Sequence, residues 1–158
     1  RRALVTGGGG FVGLAVVCAL RARGIETTVV GRHSYPAAEE AGARCLVGDI
    51  RDLEFMDRAV AGHDTVFHVA AKAGIWGSYD DYYSVNVTGT ENVIAACRQH
   101  GVRSLIQTST PSVVFAGRDI EDAPQFGCSV KTDFILGMGK IGDSGGPEGG
   151  TTVPPTVG

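Results

Sequence analysis

The feature that most constrains this chain is a block of four consecutive glycines, Gly7–Gly10, between an apolar run, Ala3–Thr6, and a helically spaced segment, Phe11–Arg23. Such a block cannot sit inside a strand or a helix, because each glycine costs backbone entropy and offers no side chain to pack. It marks a turn. The run before it reads as a buried parallel strand. The segment after it carries Phe11, Leu14, Val17, Cys18 and Leu20 at helical spacing and stops at Gly24. Strand, glycine turn and helix, in that order, are what a dinucleotide-binding loop requires. In Gly7-x-x-Gly10-x-x-Gly13, Gly7 permits the tight turn, Gly10 lets main chain approach a pyrophosphate, and Gly13 lets the helix pack close to the strand. Free N–H groups and the helix dipole then face the phosphates. The candidate cofactor contacts here are Gly7, Gly10, Phe11, Val12 and Gly13. A P-loop is excluded, since Gly139-Lys140 is followed by Ile141 rather than Ser or Thr.

The pattern repeats downstream. Strands are predicted at Thr27–Val30, Arg44–Val47, Asp64–Ala71 and Arg103–Thr108. Between them fall a short helix over Pro36–Gly42, a helix over Asp52–Ala61 and the longest one over Asp80–His100. Strands alternating with helices imply right-handed βαβ units, hence a doubly wound parallel α/β sheet of five strands in order 3-2-1-4-5. After about Arg118 the character changes. Residues 119–158 hold 9 of the 24 Gly and 4 of the 6 Pro, with six acids against two lysines. The chain therefore divides into a Rossmann-type domain over 1–118 and a Gly/Pro-rich, poorly ordered tail over 119–158.

Composition removes several functions. With 14 basic and 17 acidic residues and no basic tract, the chain has no electrostatic footprint for nucleic acid or an anionic membrane surface. No 18-residue apolar run is present to span a membrane. Arg1-Arg2-Ala3-Leu4 resembles the start of a signal peptide, but the glycine block interrupts the apolar stretch that should follow. Cys18, Cys45, Cys97 and Cys128 are far apart and read as reduced core thiols. These observations point to a cytoplasmic protein; pairing into a homodimer is a separate expectation.

The end of the second strand selects between cofactors. An acidic residue there would bind a ribose 2′-hydroxyl and repel a 2′-phosphate. This chain has Val30-Gly31-Arg32-His33, and Arg32 can fork onto a 2′-phosphate. NADP is therefore expected over NAD, against the plainer reading of Arg32 as a solvated loop residue.

Taken together, Thr6–Gly13, Gly48-Asp49-Ile50-Arg51-Asp52, His68-Val69-Ala70-Ala71 and Asn86-Val87-Thr88-Gly89-Thr90-Glu91-Asn92 resemble the extended short-chain dehydrogenase/reductase family. Within it, Ala70–Tyr79 and Thr108-Ser109-Thr110-Pro111-Ser112-Val113 are similar to the 3β-hydroxysteroid dehydrogenase-like branch, most of all its bacterial 2-alkyl-3-oxoalkanoate reductases. The resemblance covers roughly residues 3–117. It implies an NADPH-dependent oxidoreductase that passes hydride to or from an apolar small-molecule carbonyl or secondary alcohol, an oxo acid or a sterol. It implies that Asp49 and Ile50 contact adenine, and that Ala70, Ala71, Lys72 and Ser109 line the nicotinamide ribose side. Thr110 matches the catalytic hydroxyl that hydrogen-bonds the substrate carbonyl. A sugar-nucleotide epimerase or dehydratase, and a non-catalytic dinucleotide-binding module, are the alternatives.

Other residues divide between function and packing. His68 lies in an apolar strand and reads as a satisfied core histidine rather than a proton carrier. Trp76, Tyr79, Tyr82 and Tyr83 either hold an apolar substrate or pack at the start of the long helix. Lys72 reads as a cofactor contact or a surface amine. The family's proton relay, a Tyr with Lys four residues later, has no match: Tyr35, Tyr79, Tyr82 and Tyr83 all precede Thr110, and none has that Lys. Where the pair should fall stands Phe134, which cannot donate a proton. The departure begins near Asp122, so residues from about Gln125 are read as foreign to the family's continuation, with the substrate domain absent and little turnover expected.

Overall fold

Parallel strands joined by helical crossovers leave both sheet faces to be covered, and β1 (Arg2–Thr6) is buried on both. The computed structural model describes residues 1–74, 76–109 and the backbone of 139–140. The elements after β1 are α1 (Phe11–Ala22), β2 (Glu26–Gly31), α2 (Pro36–Glu40), β3 (Arg44–Val47), α3 (Leu53–Val60) and β4 (Thr65–His68). Then come α4 (Tyr79–Tyr83), a π-helical turn over Ser84–Thr88, α5 (Gly89–Gln99), β5 (Ser104–Gln107) and a two-residue β6 (Gly139–Lys140).

The sheet order is β3-β2-β1-β4-β5-β6. The first five strands run parallel in the expected order, with Leu4 opposite Thr28 on one side and Val66 on the other. β6 adds antiparallel to β5, where Ile106 faces Lys140; the sequence pattern gave no sign of this addition to the free edge. Leu4, Val30, Val66 and Leu105 pack beneath α3 and α5 on Met56, Val60, Val93 and Cys97. The alternate residues Ala3, Val5 and Val29 turn to the other face and meet Val17 and Leu20 of α1. This period-two alternation makes the domain doubly wound.

Three expectations need correction. Asp64–Ala71 pairs as a strand only over Thr65–His68, because Val69–Lys72 leaves the sheet to form the β4 loop. The long helix is not uniform: its hydrogen bonding widens through the π-helical turn at Ser84–Thr88. Cys18, read as a core thiol, is exposed, while Phe11, read as a cofactor contact, is 94% accessible at the mouth of a cleft. Cys97 is a core thiol, and burial pushes it up to about 12, so it is inert near neutrality. Thr110, Cys128, Phe134 and the poorly ordered character assigned to the tail lie outside the described residues, the backbone pairing of 139–140 apart.

Candidate functional site

A cleft of about 630 Å³ opens at the carboxyl ends of β1, β2, β3 and β4, where parallel sheets bind ligands. Gly7, Gly10, Phe11, Val12, Gly13, Arg32, Asp49, Ile50, Ala70, Ala71 and Lys72 all line it. Ser109 is described but does not line the cleft.

The three spaced glycines have different causes. Gly7 sits at φ +70°, and a Cβ on it would stand 2.8 Å from the Ala70 main chain. A Cβ on Gly13 would stand 2.1 Å from the Gly7 carbonyl oxygen, so α1 packs as close as it does only without one. Gly10 differs. A Cβ there would meet only the Gly7 oxygen, at an ordinary 3.5 Å. Gly10 is also the N-cap of α1 and has no capping side chain. The protein itself gives no reason for glycine here, and the residue faces the cleft. The first-turn N–H groups of α1 have no intrahelical partner and add the positive end of the helix dipole. Together they form a cradle sized for main-chain contact with an anion, and the residues fit a dinucleotide pyrophosphate.

At the far end, Asp49 is forked by Arg51, whose Nη2 donates to Oδ2 at 2.6 Å and whose main-chain N–H donates to Oδ1 at 2.9 Å. The Arg51 guanidinium holds the Asp49 carboxyl below its ordinary value, with a smaller contribution from Arg32. The pairing offsets a negative charge that would otherwise oppose a phosphate beside Arg32. Nothing in the sequence pattern singled out Arg51 for this.

The β4 wall is held by side chains. Ala70 N–H donates to Thr6 Oγ1 at 3.2 Å, and Val69 N–H is shared between Thr6 Oγ1 and the Thr6 carbonyl. With its lone pairs engaged, the Thr6 hydroxyl gives its proton to His68 Nδ1 at 2.7 Å. The His68 proton is therefore on Nε2, which donates to Thr90 Oγ1 at 2.9 Å, and Thr90 donates in turn to the Asn86 carbonyl at 2.8 Å. Burial pushes His68 down to about 4, so it is neutral and structural. That agrees with its reading as a satisfied core histidine.

The motif Asn86–Asn92 now acquires physical content. The Asn86 side chain accepts from Lys72 N–H at 2.7 Å and donates to Lys72 O at 3.0 Å. Gly89 leaves room for the Ile50 side chain, which a Cβ would approach to 2.7 Å. Asn92 Nδ2 donates to the Ile50 and Arg51 carbonyls. One helix thus anchors both the β4 loop and the β3 loop.

Lys72 Nζ pairs with Asp81 at 3.2 Å and lies 5.1 Å from the centre of the Tyr82 ring. The ammonium in turn lowers Asp81 below its ordinary value. Trp76 is 90% exposed, Tyr79 and Tyr83 stack loosely at 5.8 Å, and the Tyr82 hydroxyl donates to the Trp76 carbonyl. These aromatics are therefore not a buried packing cluster. Sequence reasoning also passed over Tyr35, whose ring lines the cleft between Gly9 and Gly31.

Residues 4–125 match the model of the 3-beta hydroxysteroid dehydrogenase/isomerase family. The chain belongs to that family. It is 53% identical over 110 residues to a 2-alkyl-3-oxoalkanoate reductase of Stenotrophomonas maltophilia, a match covering 70% of this chain and 33% of that one. A second 2-alkyl-3-oxoalkanoate reductase, from Shewanella oneidensis, is 48% identical over 117 residues, covering 74% of this chain and 30% of that one. Among solved structures, the UDP-glucose 4-epimerase of Thermus thermophilus, complexed with NAD, superposes with a TM-score of 0.62 at 36% identity. That match covers 70% of this chain and 38% of that one. The chain spans about a third of the length of these family relatives. Among the described residues no helix is long and apolar enough to cross a membrane, and no cluster of His, Cys, Asp and Glu has the makings of a metal site.

Proposed function

We propose that this chain is the cofactor-binding part of an NADP(H)-dependent oxidoreductase acting on an apolar carbonyl or secondary alcohol, of the 2-alkyl-3-oxo acid or 3β-hydroxysterol type. One observation carries the reading: Gly10 faces the cleft at the head of α1 with no protein atom needing its missing side chain. When bound, the nicotinamide would supply or accept the hydride. Gly7, Gly10, Phe11, Val12 and Gly13 hold the pyrophosphate, and Asp49 and Ile50 meet the adenine. Arg32 meets the 2′-phosphate. Ala70, Ala71, Lys72 and Ser109 serve the nicotinamide ribose side, and the Thr110 hydroxyl orients the substrate oxygen.

Proton delivery is not supplied by these residues. No Tyr in the 158 residues is followed by Lys four positions on, and a threonine hydroxyl is too weak an acid to replace that pair. We therefore expect these 158 residues, taken alone, to bind cofactor with little or no turnover; the protein is further proposed to be cytoplasmic and able to pair with a second copy. Steady NADPH oxidation in the presence of a 2-alkyl-3-oxo acid would overturn that expectation.

The direct test is a fluorescence titration with NADPH and NADH, beside Gly10→Val. Saturable binding with NADPH preferred is expected, and Gly10→Val should lose at least a hundredfold in affinity while its melting temperature moves little. Equal binding by the variant would remove the site from the glycine loop.

A further inference from the structure

The structure assigns to Tyr35 a part in reading the cofactor's 2′ position, an inference that rests on the NADP(H) reading above. Tyr35 was not among the residues expected to touch a cofactor. Its main chain is fixed twice: Tyr35 is the N-cap of α2 in an extended conformation ahead of Pro36, and its carbonyl accepts from Ala38 and Glu39 at 2.9 and 3.1 Å. The ring packs, partly buried, on the apolar cluster that includes Val29 and Ala38. It lies across the cleft edge between the glycine loop and the end of β2.

Two glycines register its position. A Cβ on Gly9 would fall 1.9 Å from Tyr35 Cδ1, and a Cβ on Gly31 would fall 2.3 Å from both Cε2 and Oη. Gly31 ends β2 beside Arg32, at the place from which a carboxylate would reach the ribose hydroxyls. Tyr35 therefore acts in two ways. Its ring occupies the space an acidic side chain at position 31 would need, so such a side chain, missing from the sequence, would have to displace the ring. Its phenolic hydroxyl lies against Gly31, the residue before Arg32, and offers a donor in the same cleft where Arg32 would meet a phosphate on the ribose. A neutral O–H together with a guanidinium suits a phosphate ester and adds nothing for a 2′-hydroxyl that already finds water.

The test titrates NADPH and NADH into the wild-type chain, Tyr35→Phe, Gly31→Asp and the double variant Gly31→Asp/Tyr35→Ala, with circular dichroism to verify folding. Tyr35→Phe keeps the ring and removes the hydroxyl. It should weaken NADPH about tenfold and leave NADH within about twofold. Gly31→Asp alone should bind both cofactors poorly, because the new side chain meets the ring. The double variant should regain NADH and not NADPH. If the wild type prefers NADPH but Tyr35→Phe keeps the same ratio, or if Gly31→Asp alone binds NADH as well as the double variant, the role of Tyr35 is overturned and the NADP(H) reading survives. If the wild type shows no preference for NADPH, the parent reading falls and this inference with it.

Discussion

Along the β1–β2 wall the cleft presents main chain: the N–H groups of α1's first turn and two glycines, Gly7 and Gly13, whose neighbours are backbone atoms. Along the β4 wall the main chain is held by side chains, with Thr6, His68, Thr90 and Asn86 forming one hydrogen-bonded line. The first wall is fixed by exclusion of volume, the second by satisfaction of buried polar groups. The two should fail differently. Volume violations have no escape when the atom struck is backbone, whereas a hydrogen-bonded line has a pH dependence.

Gly13→Ala tests the first wall most severely. The new methyl would stand 2.1 Å from the Gly7 oxygen and 2.8 Å from Gly8 Cα, both backbone. We expect a loss of about 3 kcal/mol or more, read as a fall of about 10 °C in thermal melting. Gly24→Ala is the control: Gly24 has φ +68° and nothing within 4 Å, so only the backbone cost of about 1 kcal/mol remains. Equal losses in the two variants would show that helix–loop contact does not govern the first wall.

The second wall is broken by acid. Burial holds folded His68 at about 4, against an ordinary value of 6.5. Between those values the unfolded chain takes up a proton that the folded chain refuses, so stability is complete above pH 6.5 and falls as pH drops toward 4. The whole shift corresponds to about 3 kcal/mol. Asp49, Asp64 and Asp81, all held below 3.8, lose their contributions only at lower pH, whereas His63, also lowered from 6.5 by burial, contributes in the same window and remains as background in His68→Asn. Urea midpoints from pH 7 to 4.5 should fall in the wild type, and the His68 component should vanish in His68→Asn. A flat wild-type profile would mean that the line reorganises to admit a charge.

This contrast also explains what could be read in the sequence. Gly7, Gly10 and Gly13 announce the first wall because spacing alone carries a volume argument, and the strand order follows from apolar runs alternating with helices. Arg32, Asp49 and Lys72 were legible as cleft residues through motifs. Their partners were not: Arg51 forks Asp49 across two residues, and Asn86 reaches Lys72 across fourteen. Tyr35 gave no periodic or motif signal, since its place depends on α2's cap geometry and on the missing side chains of Gly9 and Gly31. The π-helical turn was invisible for the same reason: hydrogen-bond spacing within a helix leaves no mark on apolar periodicity.

Asn92→Ala sharpens the comparison with a smaller effect. Its amide donates to the Ile50 and Arg51 carbonyls at 3.0 and 2.9 Å, the former bond partly buried. Losing both should cost about 1–2 kcal/mol by urea denaturation. NADPH affinity should drop as well, because the β3 loop carrying Asp49 is released. Unchanged affinity with lowered stability would detach that loop from the site.

The smallest effect on folding is expected from Lys72→Met. The Lys72 side chain is 31% exposed and its partner Asp81 58%, so water screens the ion pair and it adds little to stability. The β4 loop does not depend on that amine: it is the Lys72 main chain that Asn86 grips, at 2.7 and 3.0 Å. Melting should therefore shift by no more than about 2 °C. Binding should respond more, because the ammonium is a positive charge on the cleft wall that the fold does not need. A fall in NADPH affinity without a fall in stability would assign the amine to the ligand. Loss of stability alone would make Lys72 part of the scaffold, and the second wall would then rest on one more side chain than its hydrogen bonds require.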